Sequence, residues 1–271
     1  MVNVNKIKIG DNSPLVLIAG PCVIENEKIT LRTAEEIKKI TSDLNVPFIF
    51  KSSYKKANRT SIKSFSGIDF DRALKILEKV RKEFSVPILT DIHSEHEVES
   101  VAHVADVLQI PAFLCRQTDL LIAAARTKKV INVKKGQFLA PQDMKHVIEK
   151  IESARNKKIL LTERGSTFGY HNLVVDMRSL VIMKDLGYPV IMDATHAVQL
   201  PSNSNVSGGE SKFIPSLAKA AVAVGVDGLF LEVHPDPSNA LSDSASQFPL
   251  EQLRKLLTQI KKIDELVKNE K

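Results

Sequence analysis

Short, continuously apolar runs recur along the chain at fairly even spacing. Eight of them are predicted to be strands, at positions 15–19, 47–50, 87–90, 107–110, 130–133, 159–162, 190–192 and 228–233. These runs lack the alternation of apolar and polar residues that a half-exposed strand shows. Their pattern is typical of parallel strands that are covered by helices on both faces. We therefore expect a buried parallel sheet.

Segments with helical periodicity separate these runs. Apolar residues at positions 70–80 fall three and four apart, with Asp69 placed to cap the helix, and the same spacing covers 250–263. Strand and helix alternate over 271 residues, which predicts an α/β fold and one (β/α)₈ TIM barrel domain over residues 1–271. A doubly wound sheet is the alternative. However, no Gly-x-Gly-x-x-Gly follows the first strand, which ends at Gly20-Pro21-Cys22.

The residues ahead of the first strand show a different pattern. Val4, Ile7 and Ile9 are spaced as in a short strand pair, and they precede Gly10-Asp11-Asn12, which is typical of a turn. These residues predict a short N-terminal β-hairpin. We expect it to close the N-terminal end of the barrel, where the sheet would otherwise leave its interior open to solvent.

Composition narrows the class of protein. Hydrophobic residues make up 43% of the chain and charged residues 26%, as in an ordinary globular protein. No apolar stretch has the length of a signal-peptide core or of a membrane span. The two cysteines, Cys22 and Cys115, are too few for a disulfide framework. We expect a cytoplasmic protein that has no membrane partner.

The net charge of +6 comes from 38 Lys and Arg against 32 Asp and Glu. A basic surface suits a nucleic acid. Here the basic residues are spread along the chain, and with no Trp and 5% aromatic residues there is little for bases to stack on. We expect no nucleic-acid partner, although a phosphorylated small substrate needs the same kind of charge and the charge alone does not separate the two.

Polar residues follow most of the apolar runs. In a barrel the C-terminal ends of the strands meet at one mouth, so these residues are candidates for a single site. One subset is cationic and suits phosphate and carboxylate groups: Lys51, Lys56, Arg59, Lys134 and Arg164. A second has the chemistry of metal ligands: Cys22, His196, Glu232 and Asp243. Further polar candidates are Asn58, Asp91, His93, Gln109, Gln137, Asp193, His234 and Asp236.

Each of these residues also has a purely structural interpretation. A single cysteine such as Cys22 is usually a small buried hydrophobe, and His196 can simply hydrogen-bond a loop carbonyl. Lys134 and Lys135 are consecutive at the end of a strand, so one of them must face inward, where a buried cation needs an anionic partner. The residue types alone leave these alternatives open.

The strand-end residues also form continuous motifs. They include Ala19-Gly20-Pro21-Cys22, Lys56-Ala57-Asn58-Arg59, Asn132-Val133-Lys134-Lys135-Gly136-Gln137-Phe138, Asp193-Ala194-Thr195-His196 and Ala240-Leu241-Ser242-Asp243. In these motifs the chain resembles the 3-deoxy-D-manno-octulosonate 8-phosphate synthases. The resemblance implies a homotetrameric barrel that condenses phosphoenolpyruvate with D-arabinose 5-phosphate and water and releases phosphate. The keto-sugar acid product would serve lipopolysaccharide synthesis.

The resemblance also implies residue roles. Phosphoenolpyruvate would be bound by Lys51, Lys56, Lys134 and Arg164. The sugar phosphate would be bound by Asn58, Arg59 and Thr60, with Gln109 and Gln137 in the same substrate site. Catalytic roles are implied for Lys51, Lys56, Asn58, Lys134, His196 and Asp243. Cys22 stands where metal-independent members have Asn, which implies the metal-dependent class, with a divalent iron, zinc or manganese ion on Cys22, His196, Glu232 and Asp243.

Three positions depart from the family pattern. Lys55 stands where an acidic residue is usual, Thr60 where Ser is usual and His171 where Asn is commoner.

Two rival functions remain as alternatives. One is 3-deoxy-7-phosphoheptulonate synthase, which uses erythrose 4-phosphate, although Ala57-Asn58 replaces the Pro that precedes its motif arginine. The other is a non-catalytic barrel that binds phosphate or RNA.

Overall fold

In the computed structural model, which describes residues 1–59, 61–200 and 208–269, eight parallel strands close into a barrel. They are β1 (Val16–Gly20), β2 (Phe48–Lys51), β3 (Ile88–Asp91), β4 (Val107–Ile110), β5 (Val130–Lys134), β6 (Ile159–Glu163), β7 (Val190–Asp193) and β8 (Gly228–His234). Each strand pairs with the next along the chain, and β8 pairs with β1, which closes the barrel. The predicted strands are confirmed, with either end shifted by no more than one residue.

A helix follows each strand within the described residues. The helices are α1 (Glu27–Leu44), α2 (Phe70–Phe84), α3 (Val98–Val104), α4 (Thr118–Arg126), α5 (Met144–Ser153), α6 (Arg178–Lys184), α7 (Ile214–Val224) and α8 (Leu250–Asn269). Asp69 caps α2 as predicted, because its side chain accepts a hydrogen bond of 2.9 Å from the backbone N–H of Arg72. The chain therefore has a (β/α)₈ TIM barrel, and the doubly wound alternative is wrong because the sheet has no open edge. None of these helices is both long and apolar enough to cross a membrane.

The interior of the barrel is apolar at one end and polar at the other. Alternate residues of each strand point inward. The lower layer is made of Val16, Ile18, Ile49, Leu89, Val107, Val130, Leu160, Ile191 and Phe230. Two residues further along the strands, the inward positions are buried and polar: Lys51, Asp91, Gln109, Asn132, Thr162, Asp193 and Glu232. These buried polar side chains therefore lie towards the C-terminal mouth.

The predicted hairpin is present at the other end of the barrel. Val2–Val4 pairs antiparallel with Ile7–Ile9. Its buried side chains, Val2, Val4 and Ile9, belong to the same apolar cluster as the lower interior layer. The hairpin therefore closes the N-terminal end of the barrel, as predicted.

Candidate active site

A cavity of about 500 Å³ opens at the C-terminal ends of the strands. The sequence-predicted substrate residues that the structure describes all line it: Lys51, Lys56, Asn58, Arg59, Gln109, Lys134, Gln137 and Arg164. Thr60 lies outside the described residues. Of the four predicted metal ligands, His196 and Asp243 line the cavity, whereas Cys22 and Glu232 are buried next to it.

Two lysines meet one carboxylate where β8 ends. Lys51 Nζ lies 2.6 Å from Glu232 Oε1, and Lys56 Nζ lies 3.3 Å from the same oxygen. Burial lowers the pKa of the Lys56 amine, but the acidic groups of Cys22 and Glu232 outweigh it and raise that pKa well above its usual value. Lys56 therefore keeps its positive charge at neutral pH, although it is almost withdrawn from water.

Lys134, at the end of β5, is held by an acidic partner and an aromatic ring. Its Nζ lies 2.5 Å from Asp193 Oδ2 and 3.8 Å from the centre of the Phe230 ring. The same carboxylate oxygen lies 2.8 Å from His196 Nδ1. Burial raises the pKa of Asp193, but His196 and Lys134 outweigh it and hold that pKa well below its usual range. Asp193 thus orients both partners, a role that the Asp193-x-x-His196 spacing alone did not reveal.

Arg164 has unused donors. Its Nη2 donates to Gln199 Oε1 at 2.7 Å, while Nε and Nη1 are buried with no partner among the described residues. A buried guanidinium with unpaired N–H groups is destabilising unless an anion meets them. Charged N–H donors of this kind pair most strongly with the oxygens of a carboxylate or phosphate. This wall of the cavity is therefore suited to an anionic group, and Gln199, which sequence reasoning missed, fixes the third nitrogen.

A hydrogen-bonded chain of side chains forms the floor between β3 and β6. Gln109 Nε2 donates to Asp91 Oδ1 at 2.5 Å, and Gln109 Oε1 accepts from Asn132 Nδ2 at 2.8 Å. Asn132 Oδ1 in turn accepts from Thr162 Oγ1 at 2.6 Å. The amide of Gln109 is therefore engaged on both sides, so it shapes the floor of the cavity rather than reaching into it.

The loop after β2 is anchored from outside the cavity. The Tyr54 hydroxyl donates to Glu97 Oε2 at 2.8 Å, and Lys55 Nζ lies 3.2 Å from Glu97 Oε1. Lys55, which departs from the family pattern, is thus paired with a carboxylate. Asn58 is exposed at the rim, and Arg59 Nη1 donates to Ser242 Oγ at 2.9 Å. These contacts hold the first half of the loop in place.

Three acidic groups lie together between β1 and β8. One ligand atom from each of Cys22, Glu232 and Asp243 lies within 4.8 Å of the other two, and all three residues are buried. The Cys22 thiol donates to Asp243 Oδ2 at 3.2 Å. His196 joins them through its Nε2, which lies 3.5 Å from Glu232 Oε1. The four predicted ligands are therefore neighbours, with His196 at the edge of the group.

This donor set fits a divalent cation. Burial, together with Asp243 and Glu232, raises the pKa of the Cys22 thiol well above its usual value, and a metal ion would reverse that by favouring the thiolate. Glu232 Oε2 is buried with no hydrogen-bond partner among the described residues. Burial lowers the pKa of His196, which leaves a neutral imidazole suited to ligation. A thiol, an imidazole and two carboxylates together do not select one divalent metal.

Comparison with known proteins fits this geometry. The model of the DAHP synthetase I family matches residues 1–269. The chain belongs to the DAHP synthetase I family. Curated relatives that cover nearly the whole chain are named 2-dehydro-3-deoxyphosphooctonate aldolase. That of Geobacter sp. (strain M21) is 57% identical over 267 residues, which are 98% of each chain.

Two further relatives agree with that assignment. The protein of Syntrophotalea carbinolica is 54% identical over 268 residues, 98% of this chain and 97% of the relative. That of Legionella pneumophila (strain Lens) is 56% identical over 260 residues, 96% of this chain and 95% of the relative. Both carry the same aldolase name. Within the DAHP synthetase I family, the resemblance to the octulosonate enzymes is thereby confirmed.

Proposed function

We propose that the chain is a transferase that condenses phosphoenolpyruvate with D-arabinose 5-phosphate and water. The products are 3-deoxy-D-manno-octulosonate 8-phosphate and inorganic phosphate. One observation carries the proposal: five cationic side chains converge on a single cavity in a chain whose near full-length relatives bear this enzyme's name. The two substrates bring one carboxylate and two phosphate groups, and a cavity of this charge can hold them together.

The proposed division of the cavity follows its two ends. Phosphoenolpyruvate binds against Lys51, Lys56, Lys134 and Arg164, and the sugar phosphate against Asn58, Arg59 and Thr60. Gln109 in the floor and Gln137 in a wall complete the substrate site. Support comes from Arg164 Nε and Nη1, which have no hydrogen-bond partner among the described residues. Carbon 3 of phosphoenolpyruvate then attacks the aldehyde while water adds at carbon 2. Holding both partners in one orientation makes the step effectively unimolecular.

We also propose a divalent metal ion, one of iron, zinc or manganese, on Cys22, His196, Glu232 and Asp243. A bound metal would polarise the aldehyde or a water molecule. The unpartnered Glu232 Oε2 supports this proposal. His196 keeps Nδ1 on Asp193, so Nε2 is the nitrogen that faces Glu232. Lys134 lines the same cavity and is held there by Asp193.

A homo-oligomer, in particular a tetramer of single-domain chains, is the assembly we propose. Large aromatic side chains are exposed on the loops that follow β4, β5 and β6, namely Phe113, Phe138, Phe168 and Tyr170, with exposed fractions from 53% to 85%. Aromatic surface of this extent commonly marks a protein interface. Sedimentation velocity should show a species four times the mass of the chain.

We also propose a cytoplasmic location. Both cysteines are free, which is in keeping with a reducing compartment.

Phosphate release tests the proposed reaction. Purified protein is mixed with phosphoenolpyruvate and arabinose 5-phosphate, with a matched reaction that lacks the aldose. We expect phosphate release only when the aldose is present, and its loss after chelation. No release above the matched reaction would contradict the proposal. The names of the relatives, which refer to the octonate, favour this reaction over the sister activity with erythrose 4-phosphate.

A further inference from the structure

A buried ion pair lies just outside the cavity, between the ends of β5 and β6. Lys135 is fully buried and Glu163 is 1% exposed, and Lys135 Nζ lies 3.5 Å from Glu163 Oε1. Neither residue lines the cavity. Removing two charges from water is costly, so such a pair persists only where further hydrogen bonds satisfy it. Both of its members make such bonds here.

The carboxylate of Glu163 holds the turn that carries Arg164. Its Oε1 accepts the backbone N–H of Arg164 at 2.9 Å and that of Gly165 at 2.6 Å. Its Oε2 accepts the hydroxyl of Ser179, at the start of α6, at 2.7 Å. Gly165 has a φ of +90°, a conformation that favours glycine, so this turn is tight and specific. One side chain thus fixes the backbone from which the Arg164 guanidinium projects.

The ammonium group of Lys135 holds the neighbouring loop. It donates to the carbonyl oxygens of Gly136 and Leu139 at 3.3 and 3.2 Å, and to Ser166 Oγ at 3.1 Å. Gly136 and Leu139 flank Gln137, which lines the cavity. Lys135 therefore joins the loop after β5 to the segment that follows Arg164. The pair ties two walls of the cavity together from behind.

Strand alternation explains why the pair lies beside cavity residues. Lys134 points into the cavity and Lys135 away from it, while Glu163 points away and Arg164 inward. Lys134 has its own anchor in Asp193. Arg164 is held in the cavity by one side-chain hydrogen bond among the described residues, to Gln199. Its direction therefore depends on the turn that Glu163 fixes.

We propose that Glu163, neutralised by Lys135, is a positioning residue for the anion site of phosphoenolpyruvate: it aims Arg164 by holding that residue's backbone N–H. The inference rests on the proposed function. It assigns Glu163 no contact with substrate. The proposal requires a hydrogen-bond acceptor at the position of the Glu163 carboxylate oxygens. The negative charge of Glu163 is needed only to balance the positive charge of Lys135.

The test separates the acceptor from the charge. Lys135→Met is the common background, so that no variant leaves a buried ammonium group unpaired. In this background Glu163→Leu removes the acceptor, while Glu163→Gln keeps a carbonyl oxygen for the two N–H groups. Calorimetric titration should show phosphoenolpyruvate binding about tenfold weaker with Leu, and within about threefold of the background with Gln. The KM for arabinose 5-phosphate at saturating phosphoenolpyruvate should stay within about twofold in both.

A matched pair at the opposite end of the barrel supplies the control. Lys268 Nζ lies 2.5 Å from Asp264 Oδ1, and Asp264 Oδ2 accepts the backbone N–H of Leu15 at 3.0 Å. Lys268→Met with Asp264→Leu should lower Tm and leave phosphoenolpyruvate binding unchanged. An equal loss of binding in this control would overturn the proposal, because the effect would then be general destabilisation.

The decisive outcomes are distinct. A folded Lys135→Met, Glu163→Leu variant that binds phosphoenolpyruvate within twofold of its background overturns the proposal. Should that variant not fold, Glu163→Asp in the native background keeps the charge but withdraws the carboxylate, and unchanged binding there overturns it equally. Native protein that binds phosphoenolpyruvate but releases no phosphate with the aldose would contradict the proposed function alone. The titrations would still test the role of Glu163, because they measure phosphoenolpyruvate binding and not turnover.

Discussion

At the residue scale, the two unpaired nitrogens of Arg164 lead to a direct prediction. Arg164→Ala removes a partner that no neighbour replaces, so transition-state stabilisation should fall by at least about 2 kcal/mol. The comparison variant is Arg178→Ala, because the Arg178 side chain is 86% exposed and its charge faces Asp176 at the surface. Steady-state kinetics of both decide the matter. A folded Arg164→Ala protein that loses less than about threefold in kcat/KM would remove Arg164 from the anion site.

Cys22 separates metal-dependent chemistry from metal-free chemistry. If its thiolate binds a metal, chelator should abolish activity and added divalent ion should restore it. Cys22→Ser should bind metal poorly, because a hydroxyl is much less acidic than a thiol. Cys22→Asn should keep some activity that no longer responds to chelator. Metal content by mass spectrometry provides the second readout, with Cys115→Ser as the control that retains its metal. Full activity of metal-free native protein would contradict the metal proposal.

Asp91 leads to a prediction about pH. Burial raises its pKa, but Lys51 and Lys56 outweigh it and hold that pKa well below its usual range. A carboxyl with a depressed folded-state pKa stabilises the fold above its unfolded pKa of about 3.9 and loses that contribution as the pH falls further. The free energy of unfolding should therefore fall less between pH 4 and pH 2 in Asp91→Asn than in the native protein.

Urea titrations across that range measure the difference. The exposed Asp185→Asn serves as the control, and its slope should match that of the native protein. If the free energy of unfolding changed with pH equally in Asp91→Asn and in the native protein, the folded structure would not stabilise the charged form of Asp91.

Sequence reasoning found polar residues that line the cavity, but not the side chains that hold them. Lys134 and Arg164 were recognisable because polar residues at the end of an apolar strand must face the mouth. Their partners, Asp193 and Gln199, lie 59 and 35 residues further along the chain. Such pairings depend on barrel register and side-chain direction, which one-dimensional spacing does not encode. The same reason hid the role of Glu163.

At the element scale, the strands were predictable because both of their faces are buried. A run that is apolar on both faces has few other stable environments, so the eight strands fall within one residue of their predicted ends. The loops were less predictable. The anchoring of the loop after β2 depends on Tyr54 and Glu97, which are 43 residues apart. Loop conformation here follows from contacts between elements rather than from local sequence.

The N-terminal hairpin provides a prediction at this scale. Ile9 is fully buried in the lower apolar layer, so Ile9→Ala should reduce the free energy of unfolding by about 2–5 kcal/mol through lost burial and the cavity left behind. Because the hairpin lies at the far end from the mouth, kcat/KM of the folded protein should not change. Denaturant unfolding with the exposed Lys8→Ala as control measures the first effect. A loss below about 0.5 kcal/mol would mean that the hairpin does not seal the interior.

At the scale of the whole molecule, the closed barrel concentrates a modest excess of positive charge at one mouth. The chain as a whole carries a net charge of +6, yet Lys51, Lys56, Lys134 and Arg164 surround one cavity. Eight strands of different sequence each contribute at their C-terminal ends, so the site exists only when the barrel is closed. This explains why composition alone left a nucleic-acid partner open, whereas the folded arrangement favours a small molecule with several anionic groups.

A competition between two aldoses tests the central claim most directly. Native protein receives limiting phosphoenolpyruvate with equal concentrations of D-arabinose 5-phosphate and erythrose 4-phosphate, and the products are separated by mass. The cavity and the loop carrying Asn58 predict that the eight-carbon keto-sugar acid phosphate is formed in large excess. A seven-carbon product in excess, or no condensation product at all, would contradict the account.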